Sequence, residues 1–404
     1  MFFRTNLKRF LILLSITGLF ATASFGQITT GELSGEINVI QSAVPFLTIA
    51  PDSRSGAMGD VGAATAPDIN SQHWNPAKYV FMEGQGGAAL SYTPWLRRLI
   101  PDINLAYLVG YKKLDGLQSI SASLRYFSLG NIVFTDIYGT AQGQFNPNEF
   151  AIDVAYSRLF SDNFSGAIVF RFIRSDLTGG KNVGDIESKA GIAVASDVSF
   201  YYTDDIDLGA NDGRLSFGTN ISNMGNKISY TETQEPAFLP INWRLGGNLD
   251  LEIDDYNSFS FALDLNKLLV PTPPIYSDTA DELIIHGMDP NVSVPLGMLQ
   301  SFYDAPGVEL ENDTRSVFRE ELHEITYSLG VEYWYREQFA IRGGYFHEHR
   351  NKGNRKYFSL GVGLRLNVFE LDFAYLIPTY QNNPLANTLR FTIGFDFDKY
   401  RAAN

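Results

Sequence analysis

Three features of the 404-residue sequence predict an all-β fold, a transmembrane antiparallel β-barrel of about 14 strands. The first is alternation of apolar and polar residues with a period of two, segment after segment, the pattern of a strand with one oily face and one wet one. The second is a rhythm in the lengths of the links between those segments. The third is the aromatic-ended segment Leu389-Arg390-Phe391-Thr392-Ile393-Gly394-Phe395-Asp396-Phe397, in which the odd positions are all apolar. A strand of a soluble sandwich can alternate in the same way, because alternation does not say whether the oil is a protein core or a lipid. The aromatic terminus favours lipid, since aromatic residues form the interfacial girdle of outer-membrane barrels.

Composition agrees. Aromatic residues make up 14% of the chain (30 Phe, 21 Tyr), and there are 36 Gly, a mixture that suits strands better than charge-rich helices. Residues 1–26 carry Arg4, Lys8 and Arg9, then an apolar run from Phe10 to Phe20 and small residues, the layout of a secretory signal peptide. Cleavage is expected after Ala23 or before Gln27. That run is too short to span a bilayer as a helix, and no later segment approaches the roughly 18 apolar residues a spanning helix needs, so insertion would be by strands. With no cysteine, disulfide and thiolate chemistry are excluded. The formal charge of −14, or −17 once the three cations of residues 1–26 are set aside, argues against nucleic acid as a partner.

Residues 27–85 alternate little and are rich in small residues, as in Gly56-Ala57-Met58-Gly59 and Gly62-Ala63-Ala64. Such a stretch suits tight turns and close backbone packing, and is expected in or near the barrel lumen, as a plug. From residue 86 the alternating segments are 86–94, 103–111, 119–127, 150–159, 165–174, 189–202, 214–223, 241–251, 258–268, 325–335, 339–346, 357–366, 368–376 and 389–397. Ile103, Leu105, Tyr107, Val109 and Tyr111 share one face, as do Phe259, Phe261, Leu263 and Leu265, and Phe369, Leu371, Phe373 and Tyr375; these faces are expected to meet lipid. The polar faces, with Ser119, Ser121, Ser123 and Arg125 or Glu370 and Asp372, must line an interior. The links run to about 8, 7, 22, 5, 14, 11, 17, 6, 56, 3, 10, 1 and 12 residues, so each odd link is longer than its even neighbours, as in a barrel with long loops at one end and tight turns at the other. Leu114-Asp115-Gly116 and Ser161-Asp162-Asn163 have the chemistry of such turns.

The longest link, 270–324, is proline-rich, is expected to form a helix at 314–323, and is long enough to be a lid or docking surface. Its acidic residues Asp278, Asp281, Glu282, Glu309, Glu311 and Asp313 suit a solvated face better than a metal site. His347-Glu348-His349 could place two imidazoles on one side of a strand around an ion, yet a solvated rim fits a loop position better. His73 beside Trp74 suits packing. No hydrolase, metalloprotease or P-loop pattern occurs, so neither an enzyme nor a cofactor is expected. The pairs Gly246-Gly247 and Gly343-Gly344, with Gly361 and Gly363, suit relief where groups cross the lumen, or a ligand approaching closely.

Arg54-Ser55-Gly56-Ala57-Met58-Gly59 and Asn75-Pro76-Ala77, ahead of these strands, resemble the FadL-like outer-membrane family, and within it the PorV-like branch of the type IX secretion system of Bacteroidetes. The resemblance implies a 14-stranded barrel with its N-terminal segment in the lumen, working with a SprA-type translocon. It further implies cargo bearing a C-terminal signal domain, delivered to an attachment complex containing a PorU-type sortase. It implies no catalytic residue. A protein-binding loop needs apolar anchors in a polar rim, and within 270–324 these are Val292, Val294, Leu296, Met298, Leu299, Phe302 and Tyr303, which could equally pack down as a lid. The alternative function is a FadL-type channel for small hydrophobic molecules.

Overall fold

Fourteen strands close into one barrel. They are β1 (Gly86–Pro94), β2 (Ile103–Lys113), β3 (Gln118–Leu129), β4 (Asn148–Ser161), β5 (Phe164–Asp176), β6 (Gly191–Asp207) and β7 (Asp212–Gly225), then β8 (Asn242–Asp254), β9 (Asn257–Leu268), β10 (Thr326–Tyr335), β11 (Phe339–His347), β12 (Lys356–Leu366), β13 (Phe369–Pro378) and β14 (Leu389–Asp396). The computed structural model describes residues 37–398 apart from 98–99, 101, 136–137, 139, 181–186, 210–211, 233–234, 278–282, 311–313 and 381–382. The expected signal peptide lies outside these residues.

Each strand pairs antiparallel with the next. The last pairs back on the first, from Gly87 opposite Asp396 to Tyr92 opposite Phe391. Closure satisfies every wall strand on both sides, a necessity where no water can pair a free edge. The short links, 114–117, 162–163, 208–211, 255–256, 336–338 and 367–368, all lie at one end. The long ones, 95–102, 130–147, 177–190, 226–241, 269–325, 348–355 and 379–388, all lie at the other.

The terminal strand behaves as its alternation predicts: Phe391, Ile393 and Phe395 point outward and are exposed, while Arg390 and Thr392 point inward and are buried. Phe261, Leu263 and Leu265 of β9 likewise face outward, and Ser119, Ser121, Ser123 and Arg125 of β3 inward. Strand β2 reverses the expectation. Ile103, Leu105, Tyr107, Val109 and Tyr111 do share a face, but it is the inner one, and the apolar Leu108 lies exposed outside. The cause is the N-terminal segment, whose Phe46, Leu47, Ile69 and Tyr79 supply an apolar core inside the barrel for that face to bury against.

The segment from residue 38 to 85 fills the lumen with short helical pieces, two of them capped by side chains. Asp52 caps α1 (Ser53–Ala57) by accepting from the Ser55 amide at 2.9 Å. After α2 (Ser71–Trp74), Asn75 accepts from the Ala77 amide and Pro76 opens the six-residue 3-10 helix Pro76–Phe81. The wall glycines make room for this backbone. A Cβ on Gly344 would lie 2.1 Å from the Gly59 amide nitrogen, and one on Gly218 would lie 1.9 Å from the Ala63 carbonyl oxygen. Of the pair Gly343-Gly344, read as relief or as a site of close ligand approach, Gly344 gives relief to the chain's own plug.

Candidate functional site

Inside the barrel the plug is held by buried ion pairs. Arg54 Nε and Nη2 donate to Glu332 Oε2 and Oε1 at 3.1 and 2.8 Å, and Nη1 donates to Asp68 at 3.0 Å. Arg342 Nε donates to the same Glu332 at 2.5 Å, and its Nη1 donates to Asp372. Arg390 donates to Asp60 at 2.8 Å, and the Tyr357 hydroxyl donates to the other oxygen of that carboxylate. Asp264 accepts from the amides of Gly62 and Ala63 at 2.8 and 2.9 Å. Charges this deep are tolerated only when paired and hydrogen-bonded. Wall and plug therefore complete one another electrostatically.

A second network is built into the wall itself. Arg171 of β5 donates to Asp153 of β4 at 2.6 Å and to Asp197 of β6 at 2.9 Å. Between β6 and β7 the register slips at Ser196/Val198. There Asn223, at φ 63°, donates its amide to Asp197 at 2.7 Å and accepts from Arg171. Asparagine is among the few residues that adopt this left-handed conformation readily, and the bulge aims its side chain inward.

The long insertion, 269–325, folds over the barrel mouth. Helix α4 (Val317–His323) is tied down by carboxylates. Lys267 of β9 bonds Glu321 and Glu324 at 2.9 and 2.6 Å, and Lys352 of the β11–β12 loop bonds Glu320 and Glu324 at 2.6 and 3.0 Å. Glu321 and Glu320 also accept from the amides of Ala305 and Gly307. Asp304 is buried beside them, its Oδ2 accepting from the Thr272 amide and its Oδ1 without a partner. Burial, reinforced by Glu321, pushes the Asp304 carboxyl up to about 7. The expected helix at 314–323 is thus present as α4. Of the acidic residues expected on a solvated face, Glu309 is exposed, and the other five lie outside the described residues.

Helix α3 (Val294–Gln300) and its flanks carry the expected partner-binding residues, and the structure divides them. Val292, Val294 and Met298 turn down onto the core of Phe238, Ile241, Leu269 and Val270 at the mouth. Leu296, Leu299, Phe302 and Tyr303 face outward, Leu299 being 65% exposed. Phe302 also sits edge-on to Trp243, 6.0 Å between centroids. Sequence reading missed Phe318 of α4, which at 74% is among the most exposed large apolar side chains. Its signal was available, an aromatic residue directly before the charged run Arg319-Glu320-Glu321 in a segment already read as helical.

His347-Glu348-His349 does not converge on a metal. His347 stacks on Tyr327, Glu348 accepts from Arg355 at 2.7 Å, and His349 stacks on His323 at 3.5 Å. Burial, with His323 adjacent, lowers His349 to about 4, so the stacked rings are neutral. Among the described residues no group of three or more His, Cys, Asp or Glu is placed to hold a metal ion, and no helix is long and apolar enough to cross a membrane. His73 packs edge-on to Trp74, 4.6 Å between centroids.

A closed wall of fourteen strands, apolar outside and charged within, defines a transmembrane β-barrel of the outer-membrane type. Similar solved structures include the Pseudomonas putida toluene transporter TodX (10% identity, TM-score 0.45, 84% of this chain and 96% of that one). They also include the Ralstonia pickettii toluene transporter TbuX (10%, 0.42, 86% and 96%) and a Pseudomonas aeruginosa FadL homologue (10%, 0.40, 89% and 100%). No curated protein matches the chain. The family described as type IX secretion system protein PorV matches residues 33–275, more than half of the chain, and the chain belongs to that family.

Proposed function

We propose that this component of the type IX secretion system receives cargo from a SprA-type translocon through the cargo's C-terminal signal domain and carries it to an attachment complex containing a PorU-type sortase. On this reading the long connections face the cell exterior and the 269–325 insertion is the recognition surface. The observation that carries it is the pairing of a fixed base with an exposed apolar crest. Lys267 and Lys352 fasten α4 to the rim, while Leu296, Leu299, Phe302, Tyr303 and Phe318 are left outward. Anchors pre-positioned on a rigid support bind a protein partner without the cost of ordering a loop. A channel for small hydrophobic molecules would need an apolar path, whereas the plug crosses the lumen on buried ion pairs.

The test replaces Leu299 and Phe318 together by aspartate. Both are exposed, so the barrel is expected to assemble with unchanged heat-modifiable mobility. Surface-anchored cargo is expected to fall at least tenfold, with cargo accumulating unattached. Normal anchoring by the assembled double variant would overturn the reading, and altered uptake of hydrophobic solutes with normal anchoring would favour the channel.

A further inference from the structure

At the long-link end of β10, β11 and β12, Tyr327, His347 and Lys356 stand directly opposite one another across the three strands. Residues opposed in this way on neighbouring strands share a face. That face is the outer one, because Phe346 and Tyr357, the chain neighbours of His347 and Lys356, are buried in the interior. The row beneath, Leu329, Tyr345, Phe358 and Ile377, carries no charge. The outward side of β10 then continues through Val331 and Tyr333 to Tyr335. The residues from Tyr335 to Tyr327 cover about 27 Å of strand and, at a tilt of about 40°, about 21 Å of bilayer. The apolar band of an outer-membrane barrel is about 25 Å tall, so His347 and Lys356 mark its edge, where hydrocarbon gives way to headgroups.

Lys356 is a cation without a carboxylate at this edge. Its Nζ has no partner among the described residues. Glu348, next to His347 in the chain, is buried and accepts from Arg355 at 2.7 Å. Elsewhere at this end Arg174 has Asp176 at 2.9 Å and Lys189 has Glu232 at 3.8 Å. His347 stacks on Tyr327, 5.1 Å between centroids, and its Nδ1 lies 3.2 Å from the Tyr345 hydroxyl. The phenol donates to that nitrogen, which leaves the ring proton on Nε2. This N–H also has no partner among the described residues, and neither it nor Lys356 Nζ is a buried atom.

We propose that His347 and Lys356 hold the phosphate of a membrane lipid whose acyl chains lie against Tyr345, Phe358 and Ile377. A lysine serves a phosphate as a point charge with three donors. One lysine near an anionic bilayer surface strengthens binding about fivefold. The imidazole, held by its stack and by Tyr345, adds a donor already in place.

Dioleoyl phosphatidic acid and dioleoylglycerol test this, because they share both chains and differ in the phosphate; glycerol 3-phosphate supplies the phosphate without the chains. In the purified full-length barrel in detergent, phosphatidic acid is expected to slow acetylation of Lys356 by an N-hydroxysuccinimide ester at least fivefold and to leave Lys189 unchanged. Dioleoylglycerol and glycerol 3-phosphate at the same concentration are expected to slow it less than twofold. By native mass spectrometry, Lys356→Ala should retain phosphatidic acid at least fivefold less than wild type and Lys356→Arg should recover most of the loss. His347→Phe, which keeps the stack and removes the donor, should lower retention about twofold. Should Lys356→Ala fail to assemble, the acetylation of the wild-type protein decides. Equal protection by dioleoylglycerol or by glycerol 3-phosphate, equal protection of Lys189, or unchanged retention by assembled Lys356→Ala would each overturn the proposal.

Discussion

On the β1–β3 side of the lumen, Leu105, Tyr107 and Val109 meet Phe46, Leu47, Ile69 and Tyr79 of the plug as oil on oil. On the β10–β14 side the same plug meets the wall through Arg54, Glu332, Arg342 and Asp372, with Asp60 on Arg390. The apolar side is tolerant in kind, since hydrophobic burial is non-directional and proportional to area. The ionic side is tolerant of nothing, because each buried charge depends on a partner at hydrogen-bond distance. The plug is thus seated by area on one side and by pairing on the other, and the pairing fixes its position.

The largest effect expected is at the ionic side's closest approach. Gly344→Val puts a branched side chain where the Gly59 amide lies 2.1 Å from a bare Cβ. Neither backbone can move without breaking the wall or the plug, so heat-modifiable, protease-resistant barrel should be lost from membranes; normal assembly would mean that the plug is loosely held there.

Next comes Glu332→Gln, which leaves Arg54 and Arg342 facing a neutral amide. Loss of one partner of a buried pair costs about 3–5 kcal/mol, read as a fall in unfolding midpoint in guanidinium with the barrel in lipid vesicles. A change under about 1 kcal/mol would place the plug's hold on the apolar side instead.

The smallest effect concerns the insertion. The docked Asp304 carboxyl titrates near 7, above the ordinary carboxylate value of about 4, so docking takes up a proton between those limits. The stabilising contribution is complete below about 4 and is lost as pH rises through 7. Burial raises Glu321 as well, in the same sense. Amide exchange across 269–325 should therefore be faster at pH 8 than at pH 5 in the wild type, and Asp304→Asn should narrow that gap; an equal gap in the variant would remove Asp304 from the account.

Much of this was legible in the sequence. Each of the fourteen strands was found from its alternation, and the rhythm of link lengths identified the two ends of the barrel. What alternation could not carry was the direction of each face. Leu389 to Phe397 and Ile103 to Tyr111 read alike, yet the first presents its apolar residues outward and the second presents them to the plug, because the distinction depends on what residues 38–85 place opposite them. The divided fate of Val292 to Tyr303 has the same origin. A helix of seven residues has two sides, and only the mouth core of Phe238 and Ile241, distant in sequence, decides which one is down.

The orientation of those two strands tests the account most directly, and the absence of cysteine makes the measurement clean. Single cysteines at Leu105, Leu108, Phe391 and Thr392 would each carry a spin label in the barrel reconstituted in lipid vesicles, with collision rates measured against oxygen in the bilayer. Labels at 108 and 391 should collide freely with oxygen and those at 105 and 392 should be shielded. Free collision at 105 with shielding at 108 would contradict the account, because the apolar face of β2 would then meet lipid and the plug would have lost its seat.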